Sequence, residues 1–153
     1  MVINPQDVPD RTSSNYPEQF KPLVAGRVKK RLGDAAGLKN FGVNLVKLEP
    51  GSYSALRHWH NSQDEFIYIL EGELTLVTNA GERILKPGMA AGFPAAQADG
   101  HHLINRSDGV AVYLEVGDRT PHDLVTYPDD DLIAKDESGS WVFTHTDGSP
   151  YQS

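Results

Sequence analysis

Residues 51–72 read Gly51-Ser-Tyr-Ser-Ala-Leu-Arg-His58-Trp-His60-Asn-Ser-Gln-Asp-Glu65-Phe-Ile-Tyr-Ile-Leu-Glu-Gly72. His58 and His60 are separated by one residue within a stretch that otherwise reads as strand. Side chains of a strand alternate between faces, so both imidazoles point the same way, with Cα atoms roughly 6.5–7 Å apart. That spacing lets two ring nitrogens converge on one cation. Glu65 stands at the head of the apolar run Phe66–Leu70. If Asn61–Asp64 turn the chain, its carboxylate returns beside the two rings as an oxygen ligand. The same alternation puts Ile67 and Ile69 on the face of Glu65 as an apolar lining and sends Arg57 and Trp59 the other way. A lone His-x-His on a half-exposed strand is ordinarily a pair of surface histidines. Glu65, Gly72 and the segment downstream turn the reading toward a metal site.

Outward from this stretch, apolar runs are broken by Gly, Pro and Asn every 8 to 12 residues or so, the pattern of an all-β barrel or sandwich. Strands are predicted over 42–48, 53–60, 65–70, 73–78, 82–85, 89–93, 101–105 and 110–116. Glu49-Pro50-Gly51, Glu71-Gly72, Asn79-Ala80-Gly81, Lys86-Pro87-Gly88 and Ser107-Asp108-Gly109 supply the turns between them. No long 3.6-period stripe occurs, and residues 34–40 make one helical turn at most. Pro5, Pro9, Pro17 and Pro22 make residues 1–22 an extended arm rather than a helix, of the kind that frays or packs along a sheet edge. Residues 117–153 read as a polar tail. Its Asp129-Asp130-Asp131 forms a solvated turn, and Trp141 and Phe143 tack it onto the barrel or a second subunit. The chain is thus one domain over 1–153, with a barrel core at about 24–116.

Composition narrows the partners. The chain has 153 residues, 39% hydrophobic and 23% charged, as in a soluble globular protein. With 14 basic and 21 acidic residues, its net charge of −7 argues against a nucleic-acid or anionic-membrane surface. Arg27, Lys29, Lys30 and Arg31 form a short basic patch, read as a solvated strand edge where lysines discourage aberrant pairing. There is no cysteine, which excludes disulfides, thiolate metal sites and cysteine nucleophiles. No apolar run reaches the roughly 20 residues of a membrane span, and no signal peptide is visible, so the expected location is cytoplasmic.

The stretch 51–72 resembles the first motif of the cupin superfamily: a glycine, His-x-His, a glutamate a few residues on, then a glycine. Gly88-Met-Ala-Ala-Gly-Phe-Pro94 followed by His101-His-Leu-Ile-Asn105 resembles the second. Beyond the motifs, Ala98-Asp-Gly-His-His-Leu-Ile-Asn-Arg-Ser-Asp108, with Tyr113-Leu-Glu-Val-Gly117 downstream, resembles a group of small bacterial cupins, some labelled sugar-phosphate isomerases. The resemblance implies a jelly-roll double-stranded β-barrel with an N-terminal arm and a C-terminal tail, a homodimer, and one divalent metal ion held by His58, His60, Glu65 and His101. The sequence departs from the motifs twice. Six residues rather than five separate Gly51 from His58, and two additional residues stand between Pro94 and His101, with Ala96 in place of a glycine. His102 therefore competes for the fourth position; alternation lets one of the two face the ion, and the spacing to Asn105 favours His101. Asp64 is a weaker competitor of Glu65.

Three imidazoles and a carboxylate suit Zn, Fe, Mn, Ni, Co or Cu better than Mg or Ca. Three classes of function follow: a metal-dependent enzyme acting on a small oxygenated molecule, as an isomerase or a dioxygenase; a non-catalytic module binding a small metabolite at the metal; and a metal-free jelly roll. A phosphorylated sugar would need cations at the barrel mouth, and no basic cluster emerges from the spacing. Asp64, Tyr53, Tyr68, His102 and Glu115 are the candidate proton carriers. Glu115 stands out because it interrupts an apolar strand, where an uncompensated charge is costly.

Overall fold

In the computed structural model, residues 1–152 are described. The chain forms β1 (Arg27–Arg31), α1 (Leu32–Ala35), β2 (Phe41–Leu48), β3 (Trp59–His60), β4 (Glu65–Glu71), β5 (Leu74–Thr78), β6 (Gly81–Leu85), β7 (Ala90–Phe93), β8 (His102–Ile104), β9 (Ala111–Asp118), β10 (Leu124–Tyr127), β11 (Leu132–Glu137) and β12 (Ser140–Thr144). All pairings are antiparallel, in sheets ordered β1-β2-β9-β4-β7, β12-β11-β10-β3 and β6-β5-β8. Single bridges Tyr53↔Ile104 and His58↔His101 link the two smaller sheets. The result is the all-β jelly-roll barrel that the sequence predicts. Among the described residues no helix is long and apolar enough to cross a membrane.

Alternation divides each strand of the large sheet between interior and exterior. Val46, Leu48, Ile69, Leu74, Ala111 and Tyr113 are buried together and close one end of the barrel. Further along the same inner faces come Asn44, Glu115, Gly117 and Glu65, so the other end is polar. The β2–β9 register sets Val46 against Tyr113 and Asn44 against Glu115; the β4–β9 register sets Glu65 against Gly117. Gly72 adopts φ +73°, and a Cβ there would lie 2.6 Å from Val110 O, which explains a glycine at this turn.

Three sequence expectations differ from the fold. The predicted strand 53–60 is broken by a bend at 54–57 and is regular only over Trp59–His60. The arm carries 3-10 turns at Pro5–Asp7 and Glu18–Val24, because proline's fixed φ suits a tight turn as readily as an extended segment. Between them the arm does run along a sheet edge, through the Arg11↔Lys29 bridge to β1. The largest difference lies after residue 116, where β10, β11 and β12 enclose the barrel instead of trailing from it. Trp141 and Phe143 do fasten this segment, packing with Tyr16 and Phe20 against Leu56, Val125 and Leu132. Ser138 and Gly139, at φ +55° and +85°, make the β11–β12 hairpin turn.

Candidate metal centre

His58 and His60 project from the segment leading into and through β3, Glu65 opens β4, and His101 precedes β8, joined to His58 by the antiparallel bridge. The β3–β4 turn is tied down at both ends: Ser62 N donates to Asp123 Oδ1 at 2.7 Å and Asp64 N to Asp118 Oδ2 at 2.7 Å. The loop before His101 is equally fixed. Ala96 N donates to His60 O at 2.9 Å, Asn79 N to Asp99 Oδ1 at 2.7 Å, and Arg57 Nη1 to Gly100 O at 3.0 Å. The two additional residues ahead of His101 therefore sit in a braced loop.

The ligating atoms of His58, His60 and Glu65 all lie within 4.8 Å of one another. His60 Nε2 contacts Glu65 Oε1, which is 3.3 Å from His58 Nε2, and His101 Nε2 stands 2.6 Å from Glu65 Oε2. His102 turns away, its Nδ1 2.9 Å from Ala55 O and its ring against Tyr53. Asp64 also stays outside, accepting from Ala95 N at 2.7 Å. Arg57 faces away, as its parity predicts, into a bidentate pair with Asp129 at 2.7 and 2.9 Å. The His101 ring stacks on Phe93, with centroids 3.6 Å apart.

Proton accounting tests whether these side chains suit a cation. His58 Nδ1 lies 2.7 Å from Leu56 O, which can only accept, so Nδ1 carries the proton and Nε2 offers a lone pair. His60 Nδ1 lies 2.5 Å from Asp123 Oδ2, with the same consequence. Both Nε2 lone pairs then face a carboxylate that also has only lone pairs to offer. In the bare protein, burial opposes charging His60, but hydrogen bonds to Asp123 and Glu65 outweigh it and lift its pKa to about 9. Burial likewise opposes the Glu65 charge, yet His58, His101 and His60 hold its carboxyl well below the usual range. Burial pushes the His101 pKa down. One divalent cation would satisfy all these lone pairs at once, so the donor set fits a metal. Asp123, whose side chain is fully buried, carries no signal in the sequence. It lies 63 residues from its partner, and no local spacing marks it.

The centre opens into a cavity of about 740 Å³. Here one sequence expectation is overturned: a basic cluster does exist. Arg11, Arg27, Lys29, Arg31 and Arg119 all line this cavity. Residues 27, 29 and 31 share a face of β1, and that face turns inward; Lys30 points the other way, 2.9 Å from Asp10. The edge-strand position expected for this patch is nonetheless where β1 lies. Asp34 contacts Arg119 and lies 4.0 Å from Arg31, holding both at the mouth. Tyr16 accepts from Leu56 N at 3.3 Å, so the arm becomes part of the cavity wall.

Comparison with known proteins agrees with this architecture. Residues 44–117 match the cupin domain family. A Silicibacter pomeroyi structure described as a sugar phosphate isomerase from a cupin superfamily is 44% identical, covering 100% of this chain and 98% of its own, with a TM-score of 0.96. An Acidithiobacillus ferrooxidans protein, assigned provisionally as a sugar phosphate isomerase, is 32% identical over 84% of this chain and 83% of its own, with a TM-score of 0.75. A cupin 2 conserved barrel domain protein from Salinispora arenicola shares the fold at 18% identity, over 78% of this chain and 90% of its own, with a TM-score of 0.58. No curated protein matches the chain. With one relative 44% identical along its whole length and a barrel of the same architecture, this chain belongs to the cupin superfamily.

Proposed function

We propose that the protein is a metal-dependent isomerase of a small phosphorylated sugar. The observation that carries this reading is one cavity with a His-His-Glu cluster on its inner wall and Arg11, Arg31 and Arg119 around it. In this reading His58, His60, Glu65 and His101 hold one divalent transition metal ion, Zn, Fe, Mn or Ni. When bound, that ion supplies a Lewis acid for the carbonyl and hydroxyl oxygens of the sugar. The chain does the rest. Guanidinium groups are matched to phosphate oxygens by their forked donors, and three of them outnumber the carboxylates of Asp34 and Asp118 in the same lining, leaving net positive charge for a phosphate. The apolar end built by Val46, Leu48 and Ile69 limits how far the sugar enters and keeps bulk water from that side. The relatives named above lend the substrate class its support.

The test compares turnover of aldose phosphates with that of the same sugars lacking phosphate, using protein of defined metal content. Turnover confined to the phosphorylated compounds is expected. Arg119→Ala should raise KM about tenfold with kcat and metal content unchanged, the signature of lost uniform binding. Binding of sugar phosphates without turnover would instead favour a non-catalytic ligand-binding module.

We also propose that the working form is a homodimer. Phe66, Tyr68 and Leu70 point outward from β4, 44%, 39% and 39% exposed, on a strand flanked by β9 and β7. An apolar row in the middle of a sheet face suits a second copy of the chain. Sedimentation of the wild type as a dimer, and of Phe66→Glu/Tyr68→Glu as a monomer, is the expected result; a monomeric wild type would refute it.

A further inference from the structure

Glu115 sits in mid-β9 between Leu114 and Val116 and lines the cavity of the histidine cluster. In the β4–β9 register Ile67 faces Glu115 and Glu65 faces Gly117. The two carboxylate-bearing residues are therefore diagonal neighbours on the inner face, with Cα atoms roughly 7–8 Å apart. A carboxylate inside a barrel must be compensated. Here the compensation falls on one atom: Glu115 Oε1 accepts from Lys29 Nζ at 2.6 Å and from Asn44 Nδ2 at 2.9 Å. Among the described residues Oε2 accepts no hydrogen bond, although the side chain is 27% exposed. Beside it on the same face of β9, the Tyr113 hydroxyl is buried without a partner. The ion pair to β1 thus engages one carboxylate oxygen and leaves the other free, on a residue that lines the same cavity as the histidine cluster.

We propose that Glu115 is the base that carries the proton between the two carbons of the isomerised sugar, a role that rests on the isomerase reading above. Glu115 Oε2 takes the proton from C2; the C–H electron pair becomes the C1–C2 double bond, and the carbonyl π pair moves onto O1. The O2 proton passes to O1. As the C2 carbonyl forms, the double-bond pair takes the proton back from Glu115 at C1. One proton leaves C2, one arrives at C1, and no oxidant or reductant is needed. Lys29 and Asn44 are positioning residues that fix Oε1 and keep the group ionised. Other charged groups lining the same cavity are Arg27 and Arg31 from β1, Glu65 from β4, and Asp34, Asp118 and Arg119.

The test uses metal-loaded wild type and Glu115→Gln with ribose 5-phosphate and glucose 6-phosphate in D2O, following deuterium at C1 and C2 by NMR. Metal content is measured by elemental analysis, and affinity for the inert alditol phosphates by calorimetry. Glu115→Gln is expected to lose turnover and deuterium uptake by about 10²–10⁴-fold, the usual worth of a general base. Metal content and alditol phosphate Kd should stay within about threefold. Lys29→Gln/Glu115→Gln, which removes both charges, should show the same loss of turnover and serves if the single variant does not fold. Turnover of Glu115→Gln within about tenfold of wild type would overturn the assignment and leave the isomerase reading standing. So would a loss that comes together with lost metal or lost alditol phosphate binding. A wild type that turns over neither aldose phosphate would overturn the isomerase reading, and the assignment with it.

Discussion

Asp123 Oδ2 lies 2.5 Å from His60 Nδ1, while its Oδ1 accepts from Ser62 N at 2.7 Å. One fully buried carboxylate thus orients a ring of the candidate centre and fixes the turn that returns Glu65 to it. Its replacement should register in metal affinity before it registers in fold. Asp123→Asn is expected to weaken metal binding about 10- to 100-fold, measured by chelator competition. Unchanged affinity would mean that the contact does not orient a ligand.

His58→Ala together with His60→Ala should abolish stoichiometric metal binding and leave the β-sheet circular dichroism spectrum largely intact. The two rings are not core residues of either apolar cluster, so their loss leaves the packing in place. Elemental analysis of protein purified without chelator or a nickel column decides it. An unchanged metal content in the double variant refutes the site.

Gly72 and Gly51 share a left-handed backbone, at φ +73° and +82°, but a Cβ would strike Val110 O at Gly72 and meets nothing within 4 Å at Gly51. Both alanine variants carry the conformational cost, and only Gly72→Ala adds a steric one. Gly72→Ala should therefore destabilise by more than the ~1 kcal/mol expected of the backbone alone, and by more than Gly51→Ala. Chemical denaturation of the two variants side by side tests the order.

The Glu115 carboxyl titrates below its ordinary value of 4.5: burial raises it, but the Lys29 charge and the hydrogen bonds of Lys29 and Asn44 outweigh this. A depressed folded-state pKa means that the stabilisation is fully present above the unfolded value and disappears as pH falls through the folded one. Wild type should therefore exceed Glu115→Gln in melting temperature by a constant margin above about pH 4.5, a margin that shrinks on further acidification. A margin independent of pH would contradict the ion pair.

Much of the centre was legible before folding because it depends on local rules. The two-residue period of a strand puts His58 and His60 on one face, whatever the rest of the chain does. Positive-φ turns at Gly51, Gly72, Gly81 and Gly88 lie where the sequence predicts turns. The strands β10 to β12 were less legible, since their apolar residues are few and their inward faces depend on partners far off in sequence. Ser138-Gly139, between Leu132–Glu137 and Ser140–Thr144, was the available hairpin signal.

Alternation states that residues 27, 29 and 31 share a side, and that 113 and 115 do; it does not say which side is the interior. Pairing register decides that. It turned the β1 cations and Glu115 into the cavity, set His101 rather than His102 against Glu65, and carried Asp123 across 63 residues to His60. The sequence alone determined an all-β barrel or sandwich with two imidazoles on one strand face and a nearby carboxylate, because strand periodicity and turn conformations act over a few residues. Which charges surround that group was decided only by tertiary structure, because a hydrogen-bonded ladder between distant strands fixes both neighbour and face.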